Sequence, residues 1–428
     1  MIRNMSISEL KELLTIEKNK YDNFVKQKYM LDLTRGKPSP EQLDLSNDIL
    51  DAMNSKSEFI SEEGIDIRNY GGQIGIKEAR KLMADMINVD YENVIVAGSS
   101  SMELMFLTLT KGMLHGFDGQ KPWNQVENRK FLCPVPGYDR HFAIAEHFGF
   151  ELINIPMLED GPDMDLIEEL VKNDETIKGI WCVPKYSNPS GVTYSDEVVK
   201  RFANLKPKAK DFKIIWDNAY SIHGFYEDDE ILDIILECDK AGNPNMVFEF
   251  CSTSKIAFPG SGLAAIASSL ENITDFTYFY EFVTIGPDKV NQMRYFNYFK
   301  NIDGIKMHMK KLVNILLPKF EKALEILEKN LGDLGIASWT KPKGGYFISF
   351  DTMEGLAPKV VEMAEKAGLK LLPTGSTYPY FKDPKESNIR IAPSYLNMDN
   401  LIIAMEIFTN IIKIVSIEKI IQNNLIRR

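Results

Sequence analysis

Cysteine is scarce: four residues in 428, Cys133, Cys182, Cys238 and Cys251, with no CxxC spacing among them. That argues against zinc ribbons and dithiol redox motifs, and for free thiols in a reducing compartment. The five histidines lack the spacing of a metal-binding set. His141 and His147 read as helix-surface or hydrogen-bonded core residues, and no metal is expected. Walker loop, GxGxxG, HExxH and GxSxG are all missing, which removes the commonest signs of nucleotide, zinc-protease and serine-hydrolase chemistry. Positive charge is in deficit, with 50 basic against 61 acidic residues and a net charge of −11. A nucleic-acid binder needs clustered Lys and Arg, so that class is excluded as an expectation. Long apolar runs are lacking as well. The most apolar stretch, near the C-terminus, is broken by Glu406, Lys413 and Glu418 and reads as an amphipathic helix, with no membrane span. Met1-Ile2-Arg3-Asn4 opens no apolar run followed by small residues, so no secretory leader is expected. These absences predict a soluble, cytoplasmic protein.

What is present is ordinary globular composition, 44% hydrophobic and 26% charged, and a length that fits two or three domains at ~150 residues each. Residues 6 to about 29 read as a helix, because Ser6 and Glu9 form a capping box and Leu10, Leu13 and Leu14 share a face. From about residue 92, short apolar runs end in polar or glycine-rich turns: Val94–Val96, Lys130–Cys133, Leu152–Ile155, Gly179–Val183, Lys213–Trp216 and Met246–Phe250. Helical stretches such as Met102–Met113 and Asp165–Lys172 lie between them. Strands alternating with helices predict an α/β fold with a largely parallel sheet. After about residue 300 a long helix, strand candidates Gly345–Asp351 and Leu369–Leu372, and a closing helix predict a smaller α+β domain. The expected division is 1–50 as N-terminal arm and part of the small domain, 51–300 as the large domain, and 301–428 as the small C-terminal domain.

Open α/β sheets bind ligands outside the carboxyl ends of their strands, so residues that follow each apolar run are the informative ones. Gly98-Ser99-Ser100-Ser101 follows the first run and opens a helix, which suits a phosphate or an ordinary N-cap. Tyr186-Ser187-Asn188-Pro189-Ser190-Gly191 follows another, where a plain turn explains it equally. Asp217-Asn218-Ala219-Tyr220 places a carboxylate where burial demands a cation or several donors. Ser252-Thr253-Ser254-Lys255 leads into an uncharged stretch, in which a desolvated amine becomes nucleophilic; a solvated surface lysine is the alternative.

The glycine-serine loop, Asn-Pro-Ser-Gly, Asp-Asn-Ala-Tyr and Ser-Thr-Ser-Lys, in that order, resemble the fold-type I, pyridoxal 5′-phosphate-dependent aminotransferases of class I. The resemblance runs from about Leu33 to Ser394. Leu33-Thr34-Arg35-Gly36-Lys37-Pro38 and Thr284-Ile285-Gly286-Pro287-Asp288-Lys289 look like the bacterial aspartate aminotransferases related to the catalytic domains of MocR-type regulators. The resemblance implies a large domain with a mostly parallel mixed sheet between helices, plus a smaller α+β domain. It also implies that Lys255 holds the cofactor aldehyde as a Schiff base and shuttles the substrate proton. Asp217 would keep the pyridine nitrogen protonated, which makes the ring an electron sink. Asn188 and Tyr220 would donate to the 3′-oxygen, and Tyr138 would stack on the ring. Ser99, Ser100, Ser101, Ser252 and Ser254 would cup the phosphate, and Tyr70 would reach it from the neighbouring subunit of a homodimer with shared active sites. Arg390 would hold the substrate α-carboxylate as a bidentate partner, with Gly36 offering a close backbone N–H and Asn188 beside it.

The chain departs from the class pattern after Lys255. Ile256-Ala257-Phe258-Pro259-Gly260-Ser261-Gly262-Leu263 contains no basic residue to pair with the phosphate, so Lys289 and Arg294 become candidates, with surface ion pairs as their alternative. Arg35 is a candidate for the distal end of the substrate pocket. The expected activity is transfer of an amino group between an amino acid, with aspartate favoured, and a 2-oxo acid, with 2-oxoglutarate favoured. Alternatives are aromatic or branched donors, a β-lyase, and a ligand-sensing regulator. Only about thirty residues precede Leu33, too few for a winged-helix reader.

Overall fold

The computed structural model describes residue 2, residues 5–227 and residues 229–426. Helix α1 (Ile7–Gln27) begins at Ser6, whose hydroxyl accepts from the Glu9 N–H while the Glu9 carboxylate accepts from the Ser6 N–H at 2.7 Å. This reciprocal cap satisfies two of the donors that a helix start leaves free. A short strand, β1 (Leu31–Asp32), and a short helix, α2 (Pro40–Asp44), follow.

The chain then winds strands against helices: α3 (Lys77–Ile87), β2 (Val94–Val96), α4 (Ser101–His115), β3 (Lys130–Val135), α5 (Asp139–His147), β4 (Glu151–Pro156) and α6 (Met164–Asn173). It continues through β5 (Ile177–Cys182), α7 (Asp196–Ala203), β6 (Lys213–Asp217), α8 (Ile234–Lys240), β7 (Val247–Ser252) and β8 (Ala264–Ala267). These strands form one seven-stranded sheet in the order β2-β8-β7-β6-β5-β3-β4, in which only β8 runs antiparallel to its neighbours. All six apolar runs identified in the sequence lie on these strands, within a few residues. Strand β8 was not anticipated. Its Ala-Ala-Ile-Ala run has a single β-branched residue, Ile266, and no aromatic one, too little to mark a strand. It runs antiparallel because the link from β7 is too short for a crossover helix. Alternate residues feed two cores: Ile214 and Trp216 of β6 face one, Ile215 the other.

The rest of the chain contains α9 (Leu270–Tyr280), α10 (Lys289–Phe299), α11 (Ile302–Leu331), β9 (Ala337–Trp339), β10 (Ile348–Thr352), α12 (Ala357–Lys366), β11 (Leu369–Lys370), β12 (Asn388–Ile391) and α13 (Met398–Ile426). Strands β12, β10 and β9 make an antiparallel sheet, and β1 pairs in parallel with β11. The expected strand Gly345–Asp351 starts later, at Ile348, because Gly345 turns the chain at φ +79°. Helix α13 corrects the amphipathic expectation. By length and composition it could cross a membrane, yet most of it is buried against α1, α11 and α12. A helix enclosed on most sides is apolar on most sides.

Candidate active site

The carboxyl ends of β3, β5, β6 and β7 open into a cavity of about 510 Å³. Asp217, the last residue of β6, is buried on its wall. One carboxylate oxygen lies 2.9 Å from His141 Nε2. The other, Oδ1, is buried and has no hydrogen-bond partner among the described residues. A carboxylate left half unsatisfied is costly unless a donor is expected there. His141, expected to be a surface or satisfied core residue, is the latter. It stacks on Trp181 at 4.5 Å and 8° and meets the Tyr138 ring edge-on at 4.9 Å. The sequence reading missed its attachment to Asp217. The available signal was its place three residues after Tyr138, in the first turn of the helix that Tyr138 precedes.

Lys255 sits in the turn after β7, with Nζ 5.1 Å from the centre of the Tyr220 ring. Burial pushes its ammonium pKa down, with Asp217 opposing and Arg390 reinforcing the shift. Burial likewise holds the Tyr220 hydroxyl well above its ordinary pKa and lifts Tyr138 to about 12, so both remain donors.

The antiparallel pairing of β10 and β12 places Arg390 opposite Ser349. Arg390 Nη1 donates to Asn188 Oδ1 at 3.3 Å, Nη2 donates to the Thr34 carbonyl at 3.4 Å, and the guanidinium lies over the Phe347 ring at 4.3 Å. Arg390 Nε is buried without a partner among the described residues. Gly36 is required by packing: a Cβ there would lie 2.1 Å from the Phe347 ring.

Ser100, Ser101, Ser252 and Ser254 line the cavity around the start of α4. Ser252 Oγ donates to Ser254 Oγ at 3.1 Å. Ser99 is not on the cavity wall; its carbonyl accepts from Ser254 Oγ at 3.4 Å. Neither candidate cation joins this cup within one chain. Arg294 donates to Ser261 Oγ at 2.5 Å and to Asn291 Oδ1. Lys289 lines a separate surface cavity together with Tyr70, whose side chain is 79% exposed. Arg35 does border the main cavity, half-exposed and bonded through Nε to Asp32 at 3.1 Å. Lys37 and Arg140, not anticipated from sequence, border it too. The wall thus carries Arg35, Lys37, Arg140, Lys255 and Arg390 against only Asp139 and Asp217.

What these groups have in common is a planar, phosphorylated, ring-nitrogen ligand. Asp217 Oδ1 awaits a ring N–H, a helix start and serine hydroxyls suit a phosphate, and a desolvated amine suits an aldehyde. Pyridoxal phosphate fits that set, and with this sheet it defines the class of fold-type I aminotransferases. Comparison with known proteins narrows the class, for the profile described as aspartate amino-transferase matches residues 5–424. The chain belongs to the aspartate aminotransferase family. It is 45% identical to a putative aminotransferase of Mycolicibacterium smegmatis over 389 residues, 90% of this chain and 91% of that one. It is also 45% identical to an aspartate aminotransferase of Corynebacterium glutamicum, over 91% of this chain and 90% of the relative. The crystal structure of an aspartate transaminase from Corynebacterium glutamicum superposes with a TM-score of 0.95 at 42% identity, covering 98% and 99% of the two chains.

Proposed function

We propose that this aminotransferase moves the amino group of aspartate to 2-oxoglutarate, working as a cytoplasmic homodimer. The observation that carries the reading is the charge of the cavity wall. Arg390, with a free Nε and a carboxylate-shaped fork, meets one end of a substrate. Arg35, Lys37 and Arg140 leave the wall positive and so favour a second carboxylate. The Corynebacterium glutamicum relative named aspartate aminotransferase supports the same substrate.

Bound pyridoxal phosphate supplies the electron sink for the carbanion at the substrate Cα. Lys255 Nζ would hold the cofactor aldehyde and would move the proton at the substrate Cα. Asp217, oriented by His141, holds a proton at the ring nitrogen. Tyr220 O–H and the Asn188 NH2 group would donate to the ring oxygen, and Tyr138 would pack on the ring. Ser100, Ser101, Ser252 and Ser254 with the start of α4 hold the phosphate. Tyr70, too exposed to serve its own chain's cavity, is assigned to the partner's site, with Lys289 beside it. Exposed Tyr278, Phe282, Val283 and Ile285 add apolar surface for a partner.

Steady-state kcat/KM for aspartate, glutamate, alanine, phenylalanine and leucine tests the substrate. Dicarboxylic donors should exceed the others by at least tenfold. A preference for phenylalanine or leucine would select the aromatic or branched alternative, and release of ammonia, pyruvate and a thiol from an S-alkylcysteine would select the β-lyase. Light scattering that shows a monomer would remove the shared-site dimer.

A further inference from the structure

Tyr346 lies behind the catalytic lysine, fully buried in the turn that leads into β10. Its ring centre is 5.9 Å from Lys255 Nζ and 6.2 Å from the Tyr220 ring, which it stacks against at 23°. The hydroxyl faces two oxygens: Gln42 Oε1 at 2.9 Å and the Lys255 backbone carbonyl at 3.3 Å. Both are acceptors, and a tyrosine hydroxyl has one proton. The amide orientation of Gln42 follows from its other contacts, since Nε2 donates to the Ser394 carbonyl at 3.0 Å and to Ser39 Oγ at 3.1 Å. A flipped amide would set two oxygens against each other at Ser394. The Ser394 carbonyl is held further by Lys319 Nζ at 3.3 Å, and Ser394 Oγ donates to the Arg35 carbonyl at 3.5 Å. Gln42 and Ser394 are as buried as Tyr346. Two short buried bonds thus tie Tyr346 through Gln42 to Ser394, and longer, part-buried contacts at 3.3 and 3.5 Å extend the set to the backbone of Lys255 at one end and of Arg35, one residue before Gly36, at the other.

We propose that Tyr346 is a positioning residue for Lys255, its single hydroxyl proton shared between the Lys255 carbonyl and Gln42, so that the lysine turn and the Arg35–Gly36 loop hold one register. The buried centre of such a network, here Tyr346, Gln42 and Ser394, acts as a unit because its bonds are formed in low dielectric. Substrate contacts at one end then constrain the amine at the other. The inference rests on Lys255 being the lysine that carries the cofactor; it does not depend on which amino acid is the donor.

Two variants separate the parts. Y346F removes the hydroxyl and keeps the ring. Q42M keeps the volume and leaves the Tyr346 proton to the Lys255 carbonyl alone. Asp217, Arg390, Tyr220 and His223, the ionisable groups around Lys255, are unchanged in both. In the cofactor-loaded protein, the pH midpoint of the visible band of the lysine-bound cofactor should move by half a pH unit or more in Y346F, and in the opposite sense in Q42M. The Tm losses of the two variants should sum to clearly more than the loss of the double variant, since they break one network. The KM for whichever of the five amino donors the parent turns over best should rise in Y346F by a larger factor than kcat falls. Unmoved midpoints, shifts of the same sense, or additive Tm losses would each overturn the proposal. If Y346F does not fold, an unmoved midpoint in Q42M alone overturns it. Borohydride reduction and peptide mapping tell this failure from the other one. Covalent cofactor still trapped in K255A would overturn the assignment of Lys255, and the inference with it.

Discussion

Replacing Arg390 with glutamine should lower activity sharply while leaving stability unchanged or raised. The guanidinium is buried, its two hydrogen bonds are long at 3.3 and 3.4 Å, its nearest carboxylate oxygen, on Asp139, is 3.7 Å away, and Nε has no partner. Bonds at that length lie near the geometric limit and contribute little. The folded chain therefore carries a desolvated, under-satisfied charge, and removal of such a charge is neutral or stabilising when the replacement packs. A bound carboxylate changes the sign. Losing a charge-assisted, bidentate contact costs about 2–5 kcal/mol, which is ~30- to 5,000-fold in kcat/KM. Arg390→Gln should thus melt within about 3 °C of the parent or above it, while kcat/KM for every amino donor falls by that factor. Arg390→Lys should recover little, because an ammonium cannot make the paired contact. A thermal melt and steady-state kinetics on the same preparation decide it. A clear drop in Tm with kcat/KM kept within about threefold would show that Arg390 holds the fold and leaves the carboxylate to another residue.

Asp217→Asn should fold normally, bind cofactor more weakly and lose several powers of ten in kcat, since a neutral amide cannot hold the ring nitrogen protonated; a loss under tenfold would reduce Asp217 to a carboxylate satisfied by His141. Burial raises Glu249 to about 8 against an ordinary 4.5, with Asn218 bonded to it opposing and Asp233 adding. Folding favours its neutral form, so its stabilising contribution is complete below pH 4.5 and is lost as pH rises through about 8. Glu249→Gln should be more stable than the parent at pH 9 by roughly 2–5 kcal/mol in denaturant titrations and gain nothing at pH 4.5; an equal gain at both pH values would refute the neutral carboxyl. Gly36→Ala would drive a methyl group into Phe347, 2.1 Å away, and displace the ring beneath Arg390. KM for aspartate should rise with little change in Tm, and unchanged KM would show that the loop yields freely.

The sequence by itself determined the strand ends. An apolar run followed by a polar turn is a local pattern, set by a few neighbouring side chains, so Asn188, Asp217 and Lys255 were legible as candidate residues. The order of those turns determined the family resemblance. Convergence was decided only in three dimensions. Arg390, on β12 of the three-stranded sheet, meets Asn188, after β5 of the seven-stranded sheet, across 202 positions of chain, and His141 meets Asp217 across 76 because β3 and β6 lie in one sheet. Such contacts depend on strand order, which a local pattern does not encode. The reversed strand β8 was not anticipated and the apolar helix α13 was misread for the same reason. What a segment buries depends on what packs around it: β8 lies between β7 and the distant β2, and α13 packs on α1 from the other end of the chain.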